Sequence, residues 1–241
     1  FWEQDWDFFE FVITGTDRLH HFLWSSYEDK SHPAHQAFLD FYQQIDRIIA
    51  KIIASFKKLN ESEENLFILS DHGFTGIIQE VYLNAWLQKE GYLSFTTPCP
   101  KTLNDISPES VAFALDPNRI YLNLDNKFPA GHVSRGQKKE LKSEIAQKLL
   151  QLEYNGQKVI RQVFKVEEVY KGKYTALGPD LLVLSYPGFD LKGSIRKKEI
   201  FGRSYLQGMH TWDDAFFWAA EDYGSDLAIQ DIASIIMKKV K

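Results

Sequence analysis

Two short apolar runs in this chain each break directly into a cluster of Asp, His and Gly. Glu10-Phe11-Val12-Ile13-Thr14-Gly15 leads into Thr16-Asp17-Arg18-Leu19-His20-His21, and Leu66-Phe67-Ile68-Leu69 leads into Ser70-Asp71-His72-Gly73. Apolar runs of this length bounded by turn residues read as buried strands. Between them, His35–Lys58 carries Phe38, Ile45, Ile48, Ile49, Ile52, Ile53 and Phe56 at helical spacing, with Pro33 placed to start the helix. Later segments continue the alternation. Helices are expected over Val81–Glu90, closed by Gly91, over Gly136–Leu152, and over roughly Asp226–Lys239; strands are expected over Arg119–Asn123, Val163–Val169 and Leu181–Leu184. The alternation predicts an α/β fold with a mostly parallel sheet flanked by helices. In open sheets of that kind, reactive side chains collect beyond the carboxyl ends of the strands.

Asp17 and Asp71 therefore fall at one edge of the expected sheet. Asp17 and His21 are four residues apart, which puts them on one face of a helical turn. Asp71 and His72 splay from a turn, and Gly73 lets the backbone approach closely. Each piece alone is commonplace: a capping Asp or a surface His accounts for most such matches. Together they form an oxygen and nitrogen donor set without thiolate, which suits zinc, manganese or iron in a catalytic rather than a structural centre. Two such ions can clamp the attacking and leaving oxygens of a phosphoryl transfer.

Composition removes several other classes. A formal net charge of -5 argues against stable nucleic-acid binding. The single cysteine, Cys99, excludes an intramolecular disulfide and a Cys-based metal site. No apolar run is long enough for a membrane helix. Phe1-Trp2-Glu3-Gln4-Asp5 lacks the basic and apolar regions of a signal peptide. The chain does not begin with Met and opens almost directly into a strand, so it reads as a piece of something longer.

The segments Gly-Thr-Asp-Arg-Leu-His-His-Phe-Leu-Trp (15–24), Ser-Asp-His-Gly-Phe (70–74), Leu-Asn-Ala-Trp-Leu (83–87) and Gly-Met-His (208–210), in this order, resemble the type I phosphodiesterase/nucleotide pyrophosphatase branch of the alkaline phosphatase superfamily. Asn123, Gly131, Pro179-Asp180-Leu181 and Asp231-Ile232-Ala233 fit the same pattern. The resemblance implies one alkaline-phosphatase-like catalytic domain over 1–241, incomplete at its N-terminal side, with residues 94–118 as a candidate loop insert. It implies two divalent ions, zinc first and manganese second. Asp17, His21 and His210 would bind one; Asp71 and His72 would bind the other. The remaining Asp and a metal-activated Thr or Ser nucleophile would lie upstream of Phe1, so this chain alone is expected to be inactive. The implied substrate is a small phosphodiester or phosphomonoester, nucleotide-like in form. Sulfatase, phosphonate hydrolase and phosphomutase chemistry stay open within the superfamily, as does a non-catalytic module that binds metal or a partner.

The hydroxyls of Thr14, Thr16, Ser70 and Thr211 flank ligands, but such groups more often bond to nearby backbone. His20 is expected behind the metal or at the surface, His32 and His35 at a helix start, and His132 in a loop. Asp213 or Asp214 could fix the tautomer of a ligand imidazole. Arg18 and the run Arg196-Lys197-Lys198 could meet an anion. Trp24, Tyr27 and Trp212 could stack on a planar leaving group or simply pack.

Overall fold

The computed structural model describes residues 7–60 and 62–240. The segment Phe1–Asp5, read above for a leader, lies outside them. The chain divides into two compact units, one made of residues 1–76 and 206–241 and one of residues 77–205.

The first unit contains α1 (Gly15–Glu28), α2 (His35–Asn60), β1 (Phe67–Leu69) and β2 (Gly73–Gly76). The second contains β3 (Gln79–Tyr82), α3 (Leu83–Lys89), β4 (Ala112–Asp116), β5 (Arg119–Leu122), α4 (Lys138–Leu149), β6 (Glu153–Tyr154), β7 (Gln157–Lys158), β8 (Ile160–Lys165), α5 (Val166–Val169), β9 (Leu181–Ser185), β10 (Phe189–Lys192) and β11 (Phe201–Gly202). The chain then returns to the first unit with β12 (Gly208–Thr211), β13 (Phe217–Ala219) and α6 (Ile229–Met237). Among the described residues no helix is long and apolar enough to cross a membrane.

In the first unit β1 pairs with β13, and β2 pairs with β12, both antiparallel. α2 buries Phe38 and Ile45 from its predicted apolar face, while Ile48 turns to solvent. The expected strand at 10–15 is absent. Residues 8–13 have no regular structure, Phe11 and Val12 are exposed, and helix begins at Gly15. An apolar run becomes a strand only when a neighbour takes its backbone donors and acceptors, and among the described residues none pairs with this one.

The second unit is the better-filled one. Its core gathers Leu83, Leu87, Ile120, Ile145, Leu149 and Leu181, all fully buried. A four-stranded sheet runs β4-β5-β9-β8, and a three-stranded sheet runs β10-β3-β11. The expected Val81–Glu90 helix is shortened from its front, because Val81 and Tyr82 sit in the central strand of the smaller sheet, opposite Leu191 and Lys192 on one side. The expected Val163–Val169 strand shifts likewise. Its last four residues form a helical turn, where Glu168 accepts the Lys165 N–H at 2.9 Å.

The chain is mixed α/β, but the expectation of a mostly parallel sheet is not met. Among the described residues only the ladder between β3 and β10 is parallel; the others are antiparallel. Strand direction depends on which run pairs with which, and local periodicity carries no information about that.

Residues noted above as part of a pattern build the frame of the second unit. The buried Asn84 amide accepts the Ala114 N–H and donates to Ala114 O and Gly193 O, each at 2.8 Å, joining α3 to β4. Asn123 donates to Ser110 O at 2.9 Å and Ala130 O at 3.2 Å. A Cβ on Gly131 would fall 2.0 Å from Leu124 O, so no other residue fits there.

Candidate metal centre

Every predicted ligand belongs to the first unit, and the five arrive on three local devices. α1 carries Asp17 and His21 one turn apart, with Asp17 Oδ1 3.5 Å from His21 Nε2. The turn between β1 and β2 presents Asp71 and His72; Ser70 anchors it, since its N–H donates to Phe216 O and its Oγ accepts the Phe216 N–H. β12 brings His210 opposite Phe74 of β2.

The five side chains converge. His210 Nε2 lies 3.0 Å from Asp17 Oδ1 and 3.0 Å from His21 Nε2. His72 Nε2 lies 3.9 Å from Asp17 Oδ1 and 3.5 Å from Asp71 Oδ2. The His72 and His210 rings stack at 3.5 Å. Donor atoms of Asp17, His72 and His210 all lie within 4.8 Å of one another. Asp71 stands on the open side, its side chain 80% exposed. No gap separates the two ligand sets drawn from the resemblance, because His72 sits against Asp17 and His210.

Tautomers follow from the acceptors around the rings. His21 Nδ1 is 2.9 Å from Gly208 O, and His72 Nδ1 is 3.0 Å from Gly73 O. A carbonyl only accepts, so both Nδ1 atoms donate, and both Nε2 atoms of the neutral rings are left with lone pairs. Burial, followed by the neighbouring His72, holds the His210 imidazole below its usual pKa and so favours its neutral form. In the Nδ1–H tautomers of His21 and His72, Asp17 Oδ1, His21 Nε2 and His72 Nε2 are all acceptors, and the single proton of His210 Nε2 cannot satisfy them together. A divalent cation satisfies such a set, and nitrogen and carboxylate donors without thiolate suit zinc or manganese.

The family model for type I phosphodiesterase / nucleotide pyrophosphatase matches residues 2–213, a span that contains all five of these side chains. The chain belongs to this family. Its general chemistry is therefore phosphoester hydrolysis. No curated protein and no solved structure matches the chain.

Other residues of this chain take supporting positions. His20 points away from the ligands into a box of Trp24, Phe38, Tyr42 and Phe74 rings, bonds the Tyr42 hydroxyl, and is held below its usual pKa mainly by burial. His32 accepts the Ala34 N–H, and His35 donates to Ser26 O, so both fasten the start of α2. His132 is exposed, as is Arg18. Thr16 donates to Ile13 O and Thr211 to Asp214, and Ser70 is engaged with Phe216, which are local roles. Asp214 thus holds a hydroxyl and not an imidazole; the tautomer-fixing groups are the backbone carbonyls of Gly73 and Gly208. Every residue carries a carbonyl, so no sequence signal could have marked these two. Trp24 packs on Phe74, Tyr27 on Phe38, and Trp212 is exposed.

Glycines set how closely α1 meets the β2–β12 pair. A Cβ at Gly208 would sit 2.5 Å from His20 O and 2.7 Å from the Phe74 ring. Gly208→Ala is expected to cost roughly 1–3 kcal/mol through overpacking. It should also weaken metal binding, because α1 must shift away from the Gly208 carbonyl that orients His21. Thermal melts together with a chelator-competition titration check both effects. An unchanged metal affinity would refute the positioning role.

Proposed function

We propose that this chain carries the metal-holding part of a two-metal phosphoester hydrolase acting on small phosphodiesters or phosphomonoesters. The observation that carries the reading is the convergence of Asp17 Oδ1 with the Nε2 atoms of His21, His72 and His210 from three separate segments. In this reading Asp17, His21 and His210 hold one ion, and Asp71 and His72 help to hold a second, with zinc first and manganese second as the metals. Bound there, the pair supplies Lewis-acid stabilisation of charge on the attacking and leaving oxygens. The protein's own part is to fix the Nδ1–H tautomers of His21 and His72 with the Gly208 and Gly73 carbonyls, so that both Nε2 atoms face the cluster, and to hold the donor atoms before metal arrives. None of the adjacent hydroxyls is assigned as nucleophile, since those of Thr16, Ser70 and Thr211 are engaged locally. The family resemblance leaves that role to a Thr or Ser preceding Phe1, and the missing acidic ligand likewise.

The test is metal analysis of the full-length protein together with assays on nitrophenyl phosphodiester and phosphomonoester substrates. The expected result is about two equivalents of divalent metal and turnover that chelation removes and zinc or manganese restores. Protein free of metal and without turnover on either ester would sink the hydrolase reading. Bound metal without turnover would favour the non-catalytic alternative.

A further inference from the structure

A cleft of about 770 Å³ lies within the 77–205 unit, between residues 95–101 and residues 195–198. Its lining includes Lys101, Arg196, Lys197 and Lys198 and no carboxylate. In a chain with a formal net charge of -5, four cations around one opening reverse the local field and concentrate anions there. None of the four forms an ion pair among the described residues. Asp105, the acid close to Lys101 in sequence, accepts the backbone N–H groups of Lys101 and Thr102, and its charge offsets part of that of Lys101 alone. Arg196 Nη2 donates to Lys101 O at 3.2 Å, which ties the two walls together and leaves its other N–H groups available. Phe95, Pro98, Pro100 and Ile195 give the same cleft apolar surface.

We propose that this cleft is a binding site for a small phosphate-bearing anion, argued from its own lining and independent of how the metal centre is assigned. Di- or triphosphate oxygens would accept from Arg196 and the three lysines, and an organic body would lie against Phe95 and Ile195. Free pyrophosphate and a nucleoside diphosphate share this chemistry. Cations alone fit the first; the apolar surface favours the second.

The chain's single thiol gives a readout confined to this cleft, because Cys99 lines it and is exposed. In the full-length protein, the rate of Cys99 alkylation by neutral iodoacetamide is followed by mass spectrometry of its peptide. Pyrophosphate and ADP are tested as separate protectants. At saturation, slowing by about tenfold or more is expected. The triple variant R196A/K197A/K198A should weaken protection at least a hundredfold in ligand concentration, since three of the four cations around the opening are gone. Its three positions are exposed, and circular dichroism should show an unchanged fold. Protection by both anions, or by one, supports the site and names the source. Protection that survives in the triple variant, or none from either anion at about 10 mM, a concentration at which even millimolar binding would show, overturns it. His210→Ala should leave protection unchanged; its loss there would assign the effect to the metal centre and also overturn the proposal.

Discussion

His210→Ala in the full-length protein should abolish turnover while leaving the fold standing. His210 is where the cluster is densest, with Asp17 Oδ1 and His21 Nε2 both 3.0 Å away and the His72 ring stacked on it. A loss of about 1,000-fold or more in kcat/KM corresponds to roughly 4 kcal/mol of transition-state stabilisation. The β12–β2 ladder that carries His210 is made by backbone groups, and the side chain is exposed by about half, 48%. Truncation should therefore cost the metal-free protein no more than about 0.5 kcal/mol. The metal-loaded proteins should differ much more, because the wild type alone gains stability from tight binding. The pattern to look for is therefore equal melting temperatures in chelator and a lower one for the variant in zinc. His132→Ala, at an exposed loop position, is the control and should keep full activity. Unchanged turnover in His210→Ala would refute the ligand assignment.

The candidate ligands could be picked out of the sequence because their signals are local and chemical. Asp17 and His21 share a helical face whatever lies around them, and Asp71-His72-Gly73 is a turn by composition. α2, α4, β5 and β9 were legible for a similar reason, since period and bounding residues suffice for an element packed on one side. Pairing was not. Gly73–Gly76 and Gly208–Thr211 show no alternation of apolar residues, yet their ladder is what brings His210 to Asp17. His21 and the Gly208 carbonyl that orients it are 187 residues apart. Phe11-Val12-Ile13 illustrates the converse: an apolar run invites a strand reading, but the described chain offers it no neighbour. Asn84, Asn123 and Asp180 stood out only as parts of a pattern. Their structural roles depend on burial, and a polar residue looks the same in sequence whether it is solvated or sealed into a core.

Asp180 carries the largest stability effect expected here. Its side chain is 1% exposed, and Oδ2 accepts the Leu122 N–H at 2.9 Å. Lys138 Nζ lies 2.7 Å from Oδ1, and Lys127 Nζ lies 3.7 Å from Oδ2 with only 11% exposure. Asp180→Ala removes the counter-charge of two lysines and leaves a buried N–H without its acceptor. Breaking a buried pair in this way typically costs about 3–5 kcal/mol, and an orphaned donor adds about 1–3 kcal/mol. The second unit should lose most of its stability. Asp180→Asn separates the two losses, since an amide oxygen can still accept from Leu122 and only the charge is gone. Its pH dependence then reports on Lys127. That lysine is already held below its usual pKa, first by burial, with Asp180 pulling the other way and Lys138 adding to the depression. Without Asp180 the depression deepens, so the folded variant binds fewer protons than the unfolded chain over the window below the ordinary lysine pKa. Stability must then rise with pH across that window. Denaturant unfolding from pH 7 to pH 10 should show the gap between Asp180→Asn and wild type narrowing. A gap that stays constant would mean that Lys127 escapes to solvent once its partner is lost, and that the charge is not what this buried cluster contributes.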